Sequence, residues 1–443
     1  MNNQTVQQGK SANLLIVNCK QLLTIAGASK KPKTGKEMDD LGIIEGGAVA
    51  ISNDIIVDVG KTDYIRKKYD RNGITEIDAT GKIAAPGFVD SHTHAVFGGS
   101  RVKEFVQRLH EKTYLEIMKE GGGILSTVEA TRNSSLDELV NKTRNNLDNM
   151  LIHGTTTVEI KSGYGLDFEN ELKILRAINT LKKEHPIEIV PTFLVAHVEP
   201  KEFQHNPGKY AEQVIGMLSR FRGYAKYCDV FCDKRAFSVA QSRKILLHAS
   251  TIGYKIKIHA AEFKGTSGAE LAAELHATSA DHLDYVTDAG LKALIKGNVI
   301  GVLLPGVPFF LMTDKYAPAT KMIDEGLAVA IATDFNPGSC PTENMALILT
   351  LACLKMKMTP AQAINAATIN GAHALEMADS IGSIEIGKKA DIVIFDVDDY
   401  NCLPYHFGIN HVNTVIKNGK LVVQDRMWVK KEVEIPEAKV NNS

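Results

Sequence analysis

The chain has 443 residues, 44% of them hydrophobic and 23% charged, with 51 Lys and Arg set against 52 Asp and Glu. Those proportions exclude a disordered or fibrous chain, and a net charge of −1 offers no long-range attraction to nucleic acid or an anionic membrane. The length suits about three domains of roughly 150 residues, or one α/β barrel of about 250 residues with a smaller companion.

In chain order, the opening MNNQTVQQGKSANLLIVNCK lacks the charged start and apolar run of an export signal. Residues 13–80 then carry short β-rich segments, LLIVNCKQLLTI, GAVAISNDIIVDVG and TEIDATGKIAAPG, punctuated by Gly, Asn and Asp. From 86 to 375 the texture changes to alternating strand and helix patterns. Strands are expected at 87–91, 155–160, 188–194, 227–232, 255–259, 279–281, 298–304 and 328–333. Helices are expected between them at 136–152, 168–183, 240–252, 268–275, 288–296 and 315–325, then as a closing pair at 341–355 and 359–375. The richest apolar stretch, 299–312, is interrupted by Gly301, Pro305, Gly306 and Pro308, so no membrane span is expected. The β-rich texture returns in GSIEIGKKADIVIFDVDD and VNTVIKNGKLVVQ.

Eight βα units in this order favour a closed parallel (β/α)8 TIM-like barrel over an open sheet. No GxGxxG follows the first strand, which argues against a dinucleotide fold. The expected organisation is a barrel at 86–375 inserted in a small β-sandwich-like domain built from 1–85 and 376–443. Six cysteines are too few for a disulfide framework and show no CxxC spacing; Cys228 and Cys232 read as two buried thiols, and the compartment as reducing and cytoplasmic.

A barrel of this kind carries its chemistry just beyond the C-terminal ends of its strands. Of fourteen histidines, His92, His94, His259 and His282 fall at strand ends, and His197 follows another strand closely. The His92–Thr93–His94 spacing on an extended segment turns both imidazoles to one side. Such a pair is a weak signal alone. His259 at the end of the fifth strand and Asp334 at the end of the eighth complete a set of three nitrogens and one carboxylate, which suits Zn²⁺ or Fe²⁺. Glu262, three residues beyond His259, is placed to take a proton from water, and His282 to orient a nucleophile or donate to an oxyanion.

This ligand order resembles the amidohydrolase superfamily. GFVDSHTHAVFGGSRVKEFVQRL, GGGILSTVEATR, TTVEIKSGYGLD, LVAHVEP, KIHAAEF, GAELAAELHATSADHLD, LLPG and ATDFNPGSCPT together resemble its imidazolonepropionase family, over nearly the whole chain. The resemblance implies hydrolysis of the lactam 4-imidazolone-5-propanoate to N-formimino-L-glutamate in histidine degradation, by a cytoplasmic homodimer. It implies one Zn²⁺ or Fe²⁺/Fe³⁺ ion per subunit on His92, His94, His259 and Asp334, with Glu262, His282 and Asp334 catalytic. Substrate contacts are implied for Arg101, Tyr164, His197, Glu262, Asn336, Gly338 and Ser339. An arginine fork suits the propanoate better than a lysine point charge. Three departures stand out: HAAE has Ala261 where the family carries a carboxylate, Ser339 replaces a threonine, and the segment after the third strand reads AHVEP. Lys161 ends the second strand rather than the fourth, so a two-metal site bridged by a carboxylated lysine is not expected. The same donor set would serve a deaminase of an aminated heterocycle, against which Arg101 and Tyr164 favour a compact anion. It would also be retained in a non-catalytic scaffold, although scaffolds usually lose such ligands.

Overall fold

The computed structural model describes residues 11–69, 73–112, 116–117, 120–203 and 206–429. The first ten residues and 430–443, which belong to the expected terminal unit, lie outside this range. The N-terminal strands are β1 (Leu14–Leu23), β2 (Ile43–Ser52), β3 (Ile55–Lys61), β4 (Thr75–Asp78) and β5 (Ile83–Pro86). Then come β6 (Phe88–Asp90), β7 (Thr155–Lys161), β8 (Glu188–Ala196), β9 (Tyr227–Cys232), β10 (Lys255–Ala260), β11 (Ser279–His282), β12 (Ile300–Leu303) and β13 (Val329–Ile331). These eight pair in sequence order, every pair parallel. All eight expected barrel strands are present.

The seam between β6 and β13 is closed by residues just past the strands. Asp334 N–H donates to the His92 carbonyl at 3.0 Å, and His94 N–H to the Phe335 carbonyl at 2.9 Å. One turn below, Thr333 donates its N–H (3.1 Å) and hydroxyl (2.6 Å) to the Asp90 carboxylate. The barrel therefore closes through the backbone of three candidate ligands, which ties their positions to closure itself.

Four strands follow the barrel: β14 (Ile392–Phe395), β15 (Val412–Lys417), β16 (Lys420–Gln424) and β17 (Met427–Trp428). They join the N-terminal strands in a second sheet, ordered β17-β16-β15-β14-β5-β1-β2-β3, with β4 beside β1. Its residues alternate between two cores with the period of a strand. Ala84, Ile392, Ile394 and Ile416 meet Leu14, Ile16, Val49 and Ile51 in an inner, sandwich-like layer. Ile83, Ala85, Val393 and Phe395 face the other way and share the barrel's core with Phe88, whose ring lies 5.7 Å from that of Phe395.

The helix over Leu136–Ile152 starts at a Ser135/Glu138 capping box, in which each side chain bonds the other residue's N–H. Three expected helices differ, that at 341–355 by starting only at Met345, behind the Asn344 cap. The stretch at 359–375 forms two helices, Pro360–Ala366 and Ile369–Ala374, because the Ala367 carbonyl accepts from Val89 N–H of β6 (2.8 Å) instead of continuing the helix. The stretch at 315–325 is helical only over Ala319–Asp324, since Pro318 stands at its N-cap. The helices Val102–Leu109, Ile124–Asn133 and Pro207–Leu218 were not expected. The first is inverted in character: Val102, Phe105, Val106 and Leu109 recur with the helical period, yet Val102, Val106 and Leu109 are exposed while Glu104 is buried.

Candidate metal centre and active site

Sharp backbone turns aim the candidate residues into the barrel mouth. Ala261 directly after β10, His282 at the end of β11 and Asp334 three residues beyond β13 all take left-handed conformations, at φ +53°, +77° and +52°. Non-glycine residues rarely adopt this region, and it concentrates at functional sites. The turn at Ala261 brings Glu262 back over the mouth, where its Oε2 lies 3.7 Å from His282 Nε2. Ala261 itself packs in the hydrophobic core and is not part of the cavity lining, so the missing carboxyl group leaves the donors of the site intact.

One donor atom from each of His92, His94 and His259 falls within 4.8 Å of the other two, and the same holds for His92, His282 and Asp334. Asp334 Oδ1 is 3.4 Å from both His92 Nε2 and His94 Nε2. That exceeds a good hydrogen bond but matches the edge of a tetrahedron of ligands about 2.1 Å from a shared ion. His92 Nε2, His259 Nε2 and Asp334 Oδ1 are buried and have no hydrogen-bond partner. Orphaned buried donors and acceptors are rare and costly, and a shared cation satisfies all three at once. Burial, together with Lys161 and neighbouring imidazoles, holds His92 well below the usual histidine range. Burial, with the adjacent imidazoles, does the same for His94 and His282. The rings are therefore neutral, the form that ligates metal. Burial pushes Asp334 up to about 7, and burial plus the charge of Asp334 push Glu262 well above the usual range.

Beneath these donors lies a layer of charge inside the barrel. Lys161 Nζ reaches Asp229 at 2.8 Å, Glu159 at 2.9 Å and Asp281 at 3.5 Å, with all four side chains fully buried. Burial opposes the ammonium charge, but Asp229, Glu159 and Asp281 outweigh it and hold Lys161 above its usual range. Two of these carboxylates face the histidines from behind: Asp281 Oδ2 is 2.6 Å from His92 Nδ1, and Asp229 Oδ2 is 3.0 Å from His259 Nδ1. The hydrogen bond between His92 Nδ1 and Asp281 places the proton on Nδ1 and leaves Nε2 free to ligate, while Asp229 stands at ion-pair distance from His259. Sequence reasoning passed over Glu159, Asp229, Lys257 and Asp281. For Glu159 and Lys257 a signal was visible, since Glu159/Lys161 and Lys257/His259 are pairs of charged or imidazole side chains two apart on their strands, whereas Asp229 and Asp281 had no such pair.

A cavity of about 520 Å³ opens over the donors, lined by His94, Arg101, Tyr164, His197, His259, Glu262, His282, Asp334, Asn336, Gly338 and Ser339, among others. Of the candidate residues only His92 is missing from the lining, being buried behind the others. Tyr164 comes from a loop gathered by the buried Glu171 carboxylate, which accepts from the N–H groups of Gly163 (3.2 Å), Gly165 (2.7 Å) and Leu166 (2.9 Å). His197 stacks on His94 with centroids 4.9 Å apart, and its Nδ1 is 3.1 Å from the Gly163 carbonyl. Burial pushes His197 down to about 3, so it is neutral. Asn336 Oδ1 accepts from Gly338 N–H and Ser339 N–H, both at 2.8 Å, and its Nδ2 donates to the Asp334 carbonyl at 2.7 Å. This turn seats Gly338 against Arg101, whose Nη1 would stand 1.8 Å from any Cβ there. Asp334 does not cap a helix, because the chain continues through that turn. All six cysteines are unpaired, with Cys228 and Cys232 buried as thiols.

The amidohydrolase family profile matches residues 83–422. An imidazolonepropionase of Alkaliphilus oremlandii is 49% identical over 412 residues, 92% of this chain and 97% of that protein. The imidazolonepropionase of Geobacillus kaustophilus is 50% identical over 418 residues, 93% and 98% of the two chains. Among solved structures, a zinc-bound adenosine deaminase from Xanthomonas campestris superposes with a TM-score of 0.71 at 19% identity, covering 95% of each chain. A triazine hydrolase variant does so with a TM-score of 0.72 at 16% identity, covering 95% and 97%. At such low identity these two show the fold alone. With half its residues shared over nine-tenths of its length, the chain belongs to the imidazolonepropionase family of amidohydrolases.

Proposed function

We propose that this protein opens the lactam ring of 4-imidazolone-5-propanoate with water, giving N-formimino-L-glutamate in histidine degradation. The observation that carries the reading, beside the family, is a single cavity that holds the donor cluster, Glu262 and Arg101 together. A compact anion can therefore set its carboxylate on Arg101 while its ring carbonyl lies over the donors. His92, His94, His259 and Asp334 would hold one Zn²⁺ or Fe²⁺/Fe³⁺ ion, and the neutral imidazoles and orphaned nitrogens fit either metal. Bound there, the ion supplies Lewis acidity toward the carbonyl and toward water.

Glu262 accepts a proton from the attacking water and returns it to the ring nitrogen as the carbon–nitrogen bond breaks. Its raised affinity for protons suits this shuttle. His282, within 3.7 Å of Glu262, orients the water and donates to the oxygen on which negative charge grows. Tyr164, His197, Asn336, Gly338 and Ser339 shape the pocket around the ring, and Arg101 fixes its propanoate end without touching the bond that breaks. The family supports a homodimeric, cytoplasmic enzyme, which light scattering and cell fractionation would check. The decisive experiment is anaerobic incubation of zinc- or iron-loaded protein with synthetic imidazolonepropanoate, followed by mass spectrometry of N-formiminoglutamate. Consumption no faster than the buffer control rejects the proposal.

A further inference from the structure

Arg101 is already paired. Its Nε and Nη2 both donate to Glu104 Oε2, at 2.9 and 2.6 Å. The other oxygen of Glu104 accepts from Gly123 N–H at 2.9 Å and the Ser126 hydroxyl at 3.3 Å. Burial opposes the charge on Glu104, but Arg101 and these donors hold it below the usual range, so it is an anion. The Arg101 charge is therefore cancelled on the spot. A substrate carboxylate meeting only this pair would meet no net positive charge.

Arg108 supplies what the pair lacks. Arg101, Glu104 and Arg108 stand at i, i+3 and i+7 of the helix Val102–Leu109 and its N-cap, on the polar face that the helix turns inward. All three line the cavity that contains Glu262 and His94. Among the described residues Arg108 forms no ion pair. Its Nη2 donates to the Gly338 carbonyl at 3.2 Å, and its guanidinium lies 4.9 Å from the centre of the Phe310 ring. Its Nε is buried with no acceptor. A buried charged donor without a partner is unfavourable until an anion reaches it.

We infer that Arg108 binds the substrate carboxylate beside Arg101 and gives this subsite its net positive charge, so that Arg108 is the residue that selects an acid over its neutral amide. The inference deepens the proposed function and rests on it for the identity of the acid. Arg101, clamped by Glu104, then serves to orient, while Arg108 serves to attract.

The test uses metal-loaded full-length protein, the substrate, and two non-hydrolysable probes, imidazole-4-propanoate and imidazole-4-propanamide. Arg108→Gln should raise KM for imidazolonepropanoate by about 10–100-fold with a much smaller change in kcat, the signature of a lost charged hydrogen bond in the ground state. It should weaken the propanoate probe by a similar factor and leave the propanamide unaffected, while Arg108→Lys recovers part of the loss. Equal weakening of acid and amide would mean that Arg108 only braces the Gly338 turn, and the inference falls. It falls also if neither probe changes, or if the wild type binds the acid no more tightly than the amide. Wild-type protein that prefers the acid probe but leaves imidazolonepropanoate intact rejects the proposed reaction alone.

Discussion

At the scale of single residues the site separates into groups that do chemistry and groups that hold them. Glu262 lies over the mouth and is not one of the clustered donor atoms, so its removal should spare the metal. Glu262→Gln is expected to lower kcat by about 10²–10⁴-fold, as loss of a general base does, with metal content by mass spectrometry unchanged. Lys161 is the opposite case, a residue outside the cavity lining that holds the carboxylates behind two candidate ligands. Lys161→Met leaves Glu159, Asp229 and Asp281 without the ammonium they share in the barrel interior. Breaking a buried pair from one side should cost roughly 3–5 kcal/mol, read by denaturant unfolding of the metal-free protein. Asp281, freed from Lys161, no longer fixes the His92 ring as firmly, so metal affinity by chelator competition should fall about 10–100-fold. A variant of normal stability and normal affinity would show that Lys161 is dispensable.

At the scale of elements, the strand ends and the turns beyond them share the work. The strands bring neutral donors to one level, and the left-handed turns at Ala261, His282 and Asp334 redirect the chain into the mouth. Gly338 offers a clean test of the Asn336 turn. Its backbone is not in the left-handed region, so alanine meets only one obstacle, the Arg101 guanidinium 1.8 Å from its Cβ. Because that guanidinium is held by Glu104, making room for the methyl loosens a largely buried ion pair, and Gly338→Ala should lower the unfolding free energy by about 1–3 kcal/mol. It should also raise KM for the acid substrate about tenfold or more by displacing Arg101. A loss of stability without a change in KM would contradict this account of the turn.

At the scale of the whole molecule, the terminal sheet and the barrel are joined by more than chain connectivity. We propose 85/86 and 375/376 as the limits of two units that fold together, because Ile83, Ala85, Val393 and Phe395 of the sheet complete the core that holds Phe88 of β6. The excised fragment 86–375 would expose that apolar face, and it is expected to bind a hydrophobic dye and to aggregate on size-exclusion chromatography. A monodisperse, metal-binding fragment would show instead that the barrel is self-sufficient. The sequence by itself determined the eight barrel strands, the β-rich ends and the positions of the donor residues, because alternation and strand-end placement are local signals of period two. It also marked Glu262 by its place just beyond His259, whereas Arg101 and the SGYG loop were implied only by the resemblance to imidazolonepropionases. Three things required the tertiary structure. The break at Ala367 depends on a hydrogen bond from Val89, which lies far away in the sequence. The helix Val102–Leu109 carries an apolar period, but only the structure shows that its apolar side is exposed and its polar side turned inward. The layer of Glu159, Lys161, Asp229 and Asp281 gains its meaning only from proximity across three strands, where burial turns ordinary surface residue types into a strongly coupled network. Periodicity reports which way a side chain faces, and only the closed barrel decides which side chains it meets.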